Sequence, residues 1–144
     1  MTRPPPVEHG VDAATVHAAV GIDFYWDVRK LWDVDLPIVD LDVADLSWLL
    51  DLPFWTVRGR SNVRPLEVAE DPDGFADEYA RVMRSDLQHP TNVIWLQGRW
   101  VTLDGLHRLL KAHILGRVTI TAKTAYRDDL PSFRRRAAEP HNHP

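Results

Sequence analysis

Five consecutive residues, Asp104-Gly105-Leu106-His107-Arg108, bring a carboxylate, a glycine, an imidazole and a guanidinium together within one short stretch of chain. Before them, residues 100–103 (Trp-Val-Thr-Leu) are apolar or β-branched and read as a strand. After them Leu106, Leu109, Leu110 and Ile114 recur at helical spacing until Gly116 ends the pattern. The motif therefore falls on a strand-to-helix turn. A helix N-terminus presents unpaired backbone N–H groups and the positive end of the helix dipole, and a glycine lets a ligand approach the backbone closely. An arginine beside such amides can hold two oxygens of one phosphate at once. Gly105, Leu106, His107 and Arg108 are accordingly the candidate phosphate-binding residues. Asp104 has two readings: it caps the helix, or it holds a cation that travels with the phosphate. On spacing alone, a helix capped by Asp104 and carrying a solvated His-Arg pair fits as well as an anion site does.

The elements that position this turn follow from the chain order. Residues 2–10 are proline-rich and read as loose or extended. Asp12 as cap and Gly21 as stop predict a helix over 13–20, and Phe24, Val28, Leu31 and Trp32 predict a second helix from Asp23 onward. Pro37 followed by Ile38, Val39, Leu41 and Val43 suits a strand at a sheet edge. Residues 43–50 read as a short helix burying Leu46, Leu49 and Leu50, and Asp51 opens the loop that follows, Leu52-Pro53-Phe54-Trp55. Residues 56–69 carry Arg58, Arg60 and Arg64 among turn-forming residues. They read either as a lid whose arginines meet phosphate or a carboxylate substrate, or as an ordinary solvated loop. Asp71-Pro72 predicts a helix start, with Phe75, Tyr79, Val82 and Met83 inward and Asp77 paired with Arg81 outside. Residues 92–96 and 99–103 predict a hairpin about Gln97-Gly98 that feeds into the phosphate turn. Val118, Ile120 and Ala122 alternate as a half-buried strand. Residues 127–144 read as a disordered tail in which Leu130 to Phe133 offer a small apolar anchor.

Asp-Gly-x-His-Arg after a strand, followed by a helix, a glycine and an alternating strand, resembles the signature of the ParB/sulfiredoxin-like family, and the resemblance spans residues 36–123. It implies a compact α+β domain, a small mixed sheet packed with helices, with a nucleotide-phosphate turn at a helix N-terminus. It also implies a division into an N-terminal extension of two short helices (1–35), the domain itself (36–126) and the tail (127–144). Members of the family include CTP-binding chromosome-partitioning domains, ATP-dependent sulfiredoxin and free-serine kinases. Sulfiredoxin chemistry needs a cysteine between the glycine and the histidine of the turn; Leu106 stands there and the chain has no cysteine at all. The partitioning proteins carry a helix-turn-helix DNA-binding domain after the nucleotide domain, and about twenty residues follow the last predicted strand, so DNA binding is not expected. The compact single-domain kinases have an aspartate where Asp104 stands.

The resemblance thus implies a magnesium-dependent kinase, a transferase moving phosphate from a nucleotide (ATP, ADP or CTP) to the hydroxyl of a small metabolite. In that scheme Asp104 holds Mg²⁺ or orients the acceptor, and the 105–108 turn holds phosphate. The kinases take their base from a glutamate after the first helix. Here Asp51 stands at roughly that place among apolar residues, surroundings expected to raise a carboxylate's pKa, although short acidic side chains also often simply end helices. Asp51 and Asp104 are therefore the candidate catalytic residues, and Trp55, Arg58, Arg60 and Arg64 the candidate substrate or lid residues. Two other readings stand beside this one: a non-catalytic nucleotide-binding switch or scaffold, and a nucleotide or phosphodiester hydrolase on the same site.

Composition sets wider bounds. With 144 residues, 44% of them hydrophobic and 26% charged, the chain can build one domain with a sizeable core. A formal charge of −4 argues against a broad nucleic-acid surface. Absence of cysteine rules out disulfides, thiolate metal sites and thiol nucleophiles. No apolar run is long enough to span a bilayer and the start, Met-Thr-Arg-Pro-Pro-Pro, has no signal-peptide core, so a cytoplasmic protein without membrane partners is expected. His107 and His113 are six positions apart on one helix and face different ways, which removes them as a metal pair. The six tryptophans read mostly as core, with Trp55, beside the pocket loop, as the one that could form a wall for a base or substrate. The oligomeric state is not legible.

Overall fold

The computed structural model describes residues 20–135. Four strands form its central mixed sheet: β2 (Ile38–Asp42), β5 (Thr91–Leu96), β6 (Arg99–Asp104) and β7 (Thr119–Ala125), in the order β2-β7-β5-β6. β7 runs antiparallel to β2 and parallel to β5, while β5 and β6 are antiparallel. The β5–β6 hairpin turns at Gln97 (φ 51°) and Gly98 (φ 82°), both left-handed, as the twist of a two-residue hairpin requires. Parallel strands need a long crossover, and α4 (Leu106–Ile114) provides it between β6 and β7, burying Leu109, Leu110 and Ala112. The remaining elements are β1 (Tyr25–Trp26), α1 (Val28–Asp33), β3 (Trp55–Val57), β4 (Arg60–Val63), α2 (Pro65–Glu70), α3 (Ala76–Arg84) and β8 (Arg134–Arg135). The result is a mixed α+β domain whose core includes Leu46, Leu49, Leu50, Val63, Val68, Ile94, Leu109 and Leu110, all fully buried. Among the described residues no helix is long and apolar enough to cross a membrane.

Several expectations change. The helix expected over 13–20 lies outside the described residues. The next helix begins at Val28 and not near Asp23, because Asp27 caps it, accepting from the N–H groups of Arg29 (2.9 Å) and Lys30 (3.2 Å), while Tyr25 and Trp26 are drawn into a ladder with β8. Residues 43–50 form two 3-10 turns, Val43–Asp45 and Ser47–Asp51, which nevertheless bury the expected leucines. Residues 56–69 are an ordered hairpin, β3–β4, followed by α2. Asp77 pairs with Arg58 (3.1 Å), and Arg81 turns to Glu78 (3.5 Å), so the expected surface pair of Asp77 with Arg81 does not form. The tail boundary also moves: 127–135 is ordered as a 3-10 turn, Arg127–Ser132, and β8, with Phe133 fully buried and accepting from the Asp27 N–H at 2.8 Å.

Candidate functional site

The turn between β6 and α4 opens on a cavity of about 470 Å³ lined by Trp32, His89, Pro90, Asn92, Asp104, Arg108 and Lys123. Three strands supply its polar row. Asn92 on β5 stands in register with Lys123 on β7 and with Asp104 on β6. That last pairing depends on an irregularity: Val93 faces Thr102, so Leu103 is left without a partner and Asp104 comes opposite Asn92. A bulge of this kind re-aims one side chain without disturbing the rest of the ladder.

Asp104 does not cap α4. Gly105 occupies the cap position, in the left-handed region at φ 113°, and no side chain bonds the first helical amides. A Cβ on Gly105 would lie 3.1 Å from the Arg108 guanidinium and from the Thr91 side chain, so glycine is required for space as well as for conformation. Asp104 Oδ2 instead accepts from the Trp32 indole N–H (2.9 Å), the Asn92 amide (3.2 Å) and Arg108 (3.4 Å). Oδ1 has no hydrogen bond among the described residues. Arg108 also donates to the Pro90 carbonyl at 3.2 Å, which aims the guanidinium along the cavity wall.

Lys123 is 7% exposed and spends its ammonium on the carbonyls of Leu31 (3.1 Å), Trp32 (2.9 Å) and Val34 (2.9 Å) at the end of α1. A buried cation there finds the negative pole of the helix, adds positive potential to the cavity and ties α1, hence Trp32, to the sheet. Three buried polar atoms beside the turn are without a partner among the described residues: Asn92 Oδ1, Thr91 Oγ1 and Arg108 Nε. Asn92 is 3% exposed. Its amide nitrogen must face the Asp104 carboxylate, so its oxygen is the unmatched atom. Buried polar atoms are rarely left unpaired, and three in one place mark a site suited to a ligand or ordered water.

His107 lies elsewhere. It is not among the residues that line the cavity: Nε2 sits 2.6 Å from Glu78 Oε2 on α3, and the ring stacks on Trp55 at 4.7 Å and 22°. That hydrogen bond holds the Glu78 carboxyl below the ordinary glutamate value, burial working against it and the charges of His107 and Arg81 adding to it. Of the sequence-predicted residues, Asp104 and Arg108 thus line the cavity, Gly105 and Leu106 lie between them in the chain without lining it, and the His107 ring turns to Glu78 and Trp55. Trp55 meets that ring. Arg58 pairs with Asp77, Arg60 with Glu67 (2.8 Å), and Arg64 with Asp51 and Glu67. Asp51 lies outside the cavity lining, its side chain 61% exposed beside Arg64, so the apolar setting expected for it does not form.

Trp32, Asn92, Lys123 and Glu78 escape the sequence reading. Lys123 carried a faint signal, being a charged residue inside an alternating strand; Trp32 read only as a position in a helical pattern, with nothing to mark its indole N–H as a partner of Asp104. Among the described residues no group of three or more His, Cys, Asp or Glu side chains gathers as a metal site. Compared with known proteins, the chain matches no protein-family model, no curated protein and no solved structure.

Proposed function

We propose that the protein binds a nucleotide through its phosphates at the Gly105–Arg108 turn and transfers a phosphoryl group to the hydroxyl of a small polar metabolite. The observation that carries this reading is that Arg108, Asp104 and Asn92, whose buried Oδ1 has no partner among the described residues, line one cavity next to the start of α4, where no side chain bonds the first amides. Backbone amides and a guanidinium suit phosphate oxygens. The likeness of residues 104–108 to the ParB/sulfiredoxin-like turn points the same way.

Magnesium at a phosphoryl-transfer site is commonly held by one or two carboxylates together with the phosphates and keeps several waters. Asp104 fits as the single carboxylate, since among the described residues Oδ1 has no hydrogen bond while Oδ2 is fixed by three donors. When bound, the ion supplies neutralisation of charge on the phosphates. The chain's own residues do the rest. Leu106, His107 and Arg108 present amides, Arg108 fixes one phosphate face, and Trp32 and Asn92 hold Asp104 in place.

A thermal-shift panel of ATP, ADP, CTP and GTP with and without Mg²⁺ tests this. A nucleotide at 100 times its Kd is expected to stabilise the fold by about 2.7 kcal/mol, and Arg108→Ala to remove most of the shift. No shift with any nucleotide would refute the reading.

A further inference from the structure

We infer that His107 is the general base for the acceptor hydroxyl, with Glu78 as its positioning residue, and that the hydroxyl approaches from the face of α4 that carries His107. This rests on the phosphoryl-transfer reading above and adds to it a residue pair and a direction of attack.

The pair has the geometry of a base and its orienting group. Glu78 Oε2 lies 2.6 Å from His107 Nε2. A carboxylate there keeps the proton on Nε2 and leaves the lone pair on Nδ1. Nδ1 makes no hydrogen bond among the described residues, and the side chain is 35% exposed, so the free nitrogen is reachable. The Trp55 indole fixes the plane of the ring. Beside Glu78, the charged group facing the pair is Arg81, 3.5 Å from the other glutamate oxygen; Trp55 brings no charge from β3. Asp51, the carboxylate that the sequence offers as base, is taken up by Arg64.

The direction follows from the helix. His107 and Arg108 are consecutive, hence about 100° apart around α4, and Arg108 lines the cavity whereas His107 does not. In phosphoryl transfer the attacking and leaving oxygens lie roughly in line on opposite sides of phosphorus. Because the two side chains lie on different faces of α4, the departing nucleotide oxygen is assigned to the Arg108 side and the incoming hydroxyl to the His107 side. The acceptor O–H proton passes to Nδ1 as the oxygen's electron pair forms the new P–O bond. The bond to the bridging oxygen breaks, and its pair leaves on a nucleotide one phosphate shorter. The imidazolium, ion-paired with Glu78, then gives its proton to water.

The test uses the full chain with ATP, ADP, CTP or GTP, Mg²⁺ and a panel of small hydroxyl compounds, reading binding by thermal shift and product by phosphorus NMR. Nucleotide shifts are expected to persist in His107→Ala, Glu78→Gln and Glu78→Asp. Turnover is expected to fall on the order of 10²–10⁴-fold in His107→Ala. Added imidazole should restore part of it, which a purely structural histidine would not allow, and Glu78→Asp should lose less than Glu78→Gln. If His107→Ala does not fold, His107→Gln carries the same comparison of turnover with binding. Full turnover without His107, or nucleotide binding by the unmodified protein with no turnover, overturns the base and leaves the nucleotide seat standing. Absence of any nucleotide shift overturns the seat, and the base with it.

Discussion

At the scale of residues, Gly105 and Asp104 carry the sharpest expectations. Gly105→Ala places a methyl group against Arg108 and Thr91 and forces an L residue to φ 113°. A cost of roughly 1–3 kcal/mol is expected in urea unfolding, with loss of the nucleotide shift because Arg108 is the side chain that has to move. Asp104→Asn keeps a carbonyl oxygen that can accept from Trp32 but removes the counter-charge of Arg108, 3.4 Å away. Since Gly105 and not Asp104 occupies the cap position, this substitution is a probe of ligand binding with no helix cap at stake. The Mg²⁺-dependent part of the thermal shift is expected to vanish, while the ligand-free melting temperature drops by a few degrees at most. Unchanged Mg²⁺ dependence would remove Asp104 from the metal role.

Among the elements, α1 is the piece whose place is decided by a single side chain. It has six residues, too short to persist alone, and buries Val28 and Leu31. Lys123 bonds the carbonyls of Leu31, Trp32 and Val34, and this anchoring carries Trp32 to Asp104. Lys123→Met keeps much of the volume and removes the three bonds. Hydrogen exchange of residues 28–33 should accelerate at least tenfold relative to the central sheet, about 1.4 kcal/mol of local stability, since bonds to a charged donor contribute on the order of 1.5–3 kcal/mol. Equal protection in the variant would mean that the apolar contacts of Val28 and Leu31 hold the helix unaided.

Taken as a whole, the molecule should be labile to acid for a definable reason. Among the described residues, Glu67 and Glu78 have lowered carboxyl pKa values. Glu67 accepts from the Arg64 N–H and lies near the Arg60 and Arg64 charges, and Glu78 accepts from His107. A carboxyl whose folded value lies below its unfolded one stabilises the fold fully above the unfolded value, near 4.5, and loses that contribution as pH falls through the folded value. Melting temperature is therefore expected to fall below about pH 4.5, and Glu78→Gln to flatten part of that fall. A Glu78→Gln profile parallel to that of the unmodified protein would show that the His107 contact adds nothing to folding.

The sequence by itself determined what repeats along the chain. The hairpin at Gln97-Gly98, the helix from Leu106 to the glycine stop and the burial of Leu46, Leu49 and Leu50 are all local, because apolar periodicity and turn residues act over a few positions; the alternation through Val118, Ile120 and Ala122 holds only in part, since Val118 is 77% exposed ahead of β7 and residues 122–125 are all buried. It also brought Asp104, Gly105 and Arg108 to one turn, since neighbours in sequence on a strand-to-helix junction stay neighbours in space. Tertiary structure decided everything that joins distant positions. Trp32 reaches Asp104 across 72 residues and Lys123 reaches the end of α1 across about ninety, and apolar periodicity names the partner of neither. The Leu103 bulge that sets Asp104 opposite Asn92 is a property of strand pairing, and the turn of the His107 ring to Glu78 and Trp55 depends on how α3 and β3 pack against α4. Residues 134–135 look like tail in sequence and become strand because β1 offers them free backbone groups to pair with.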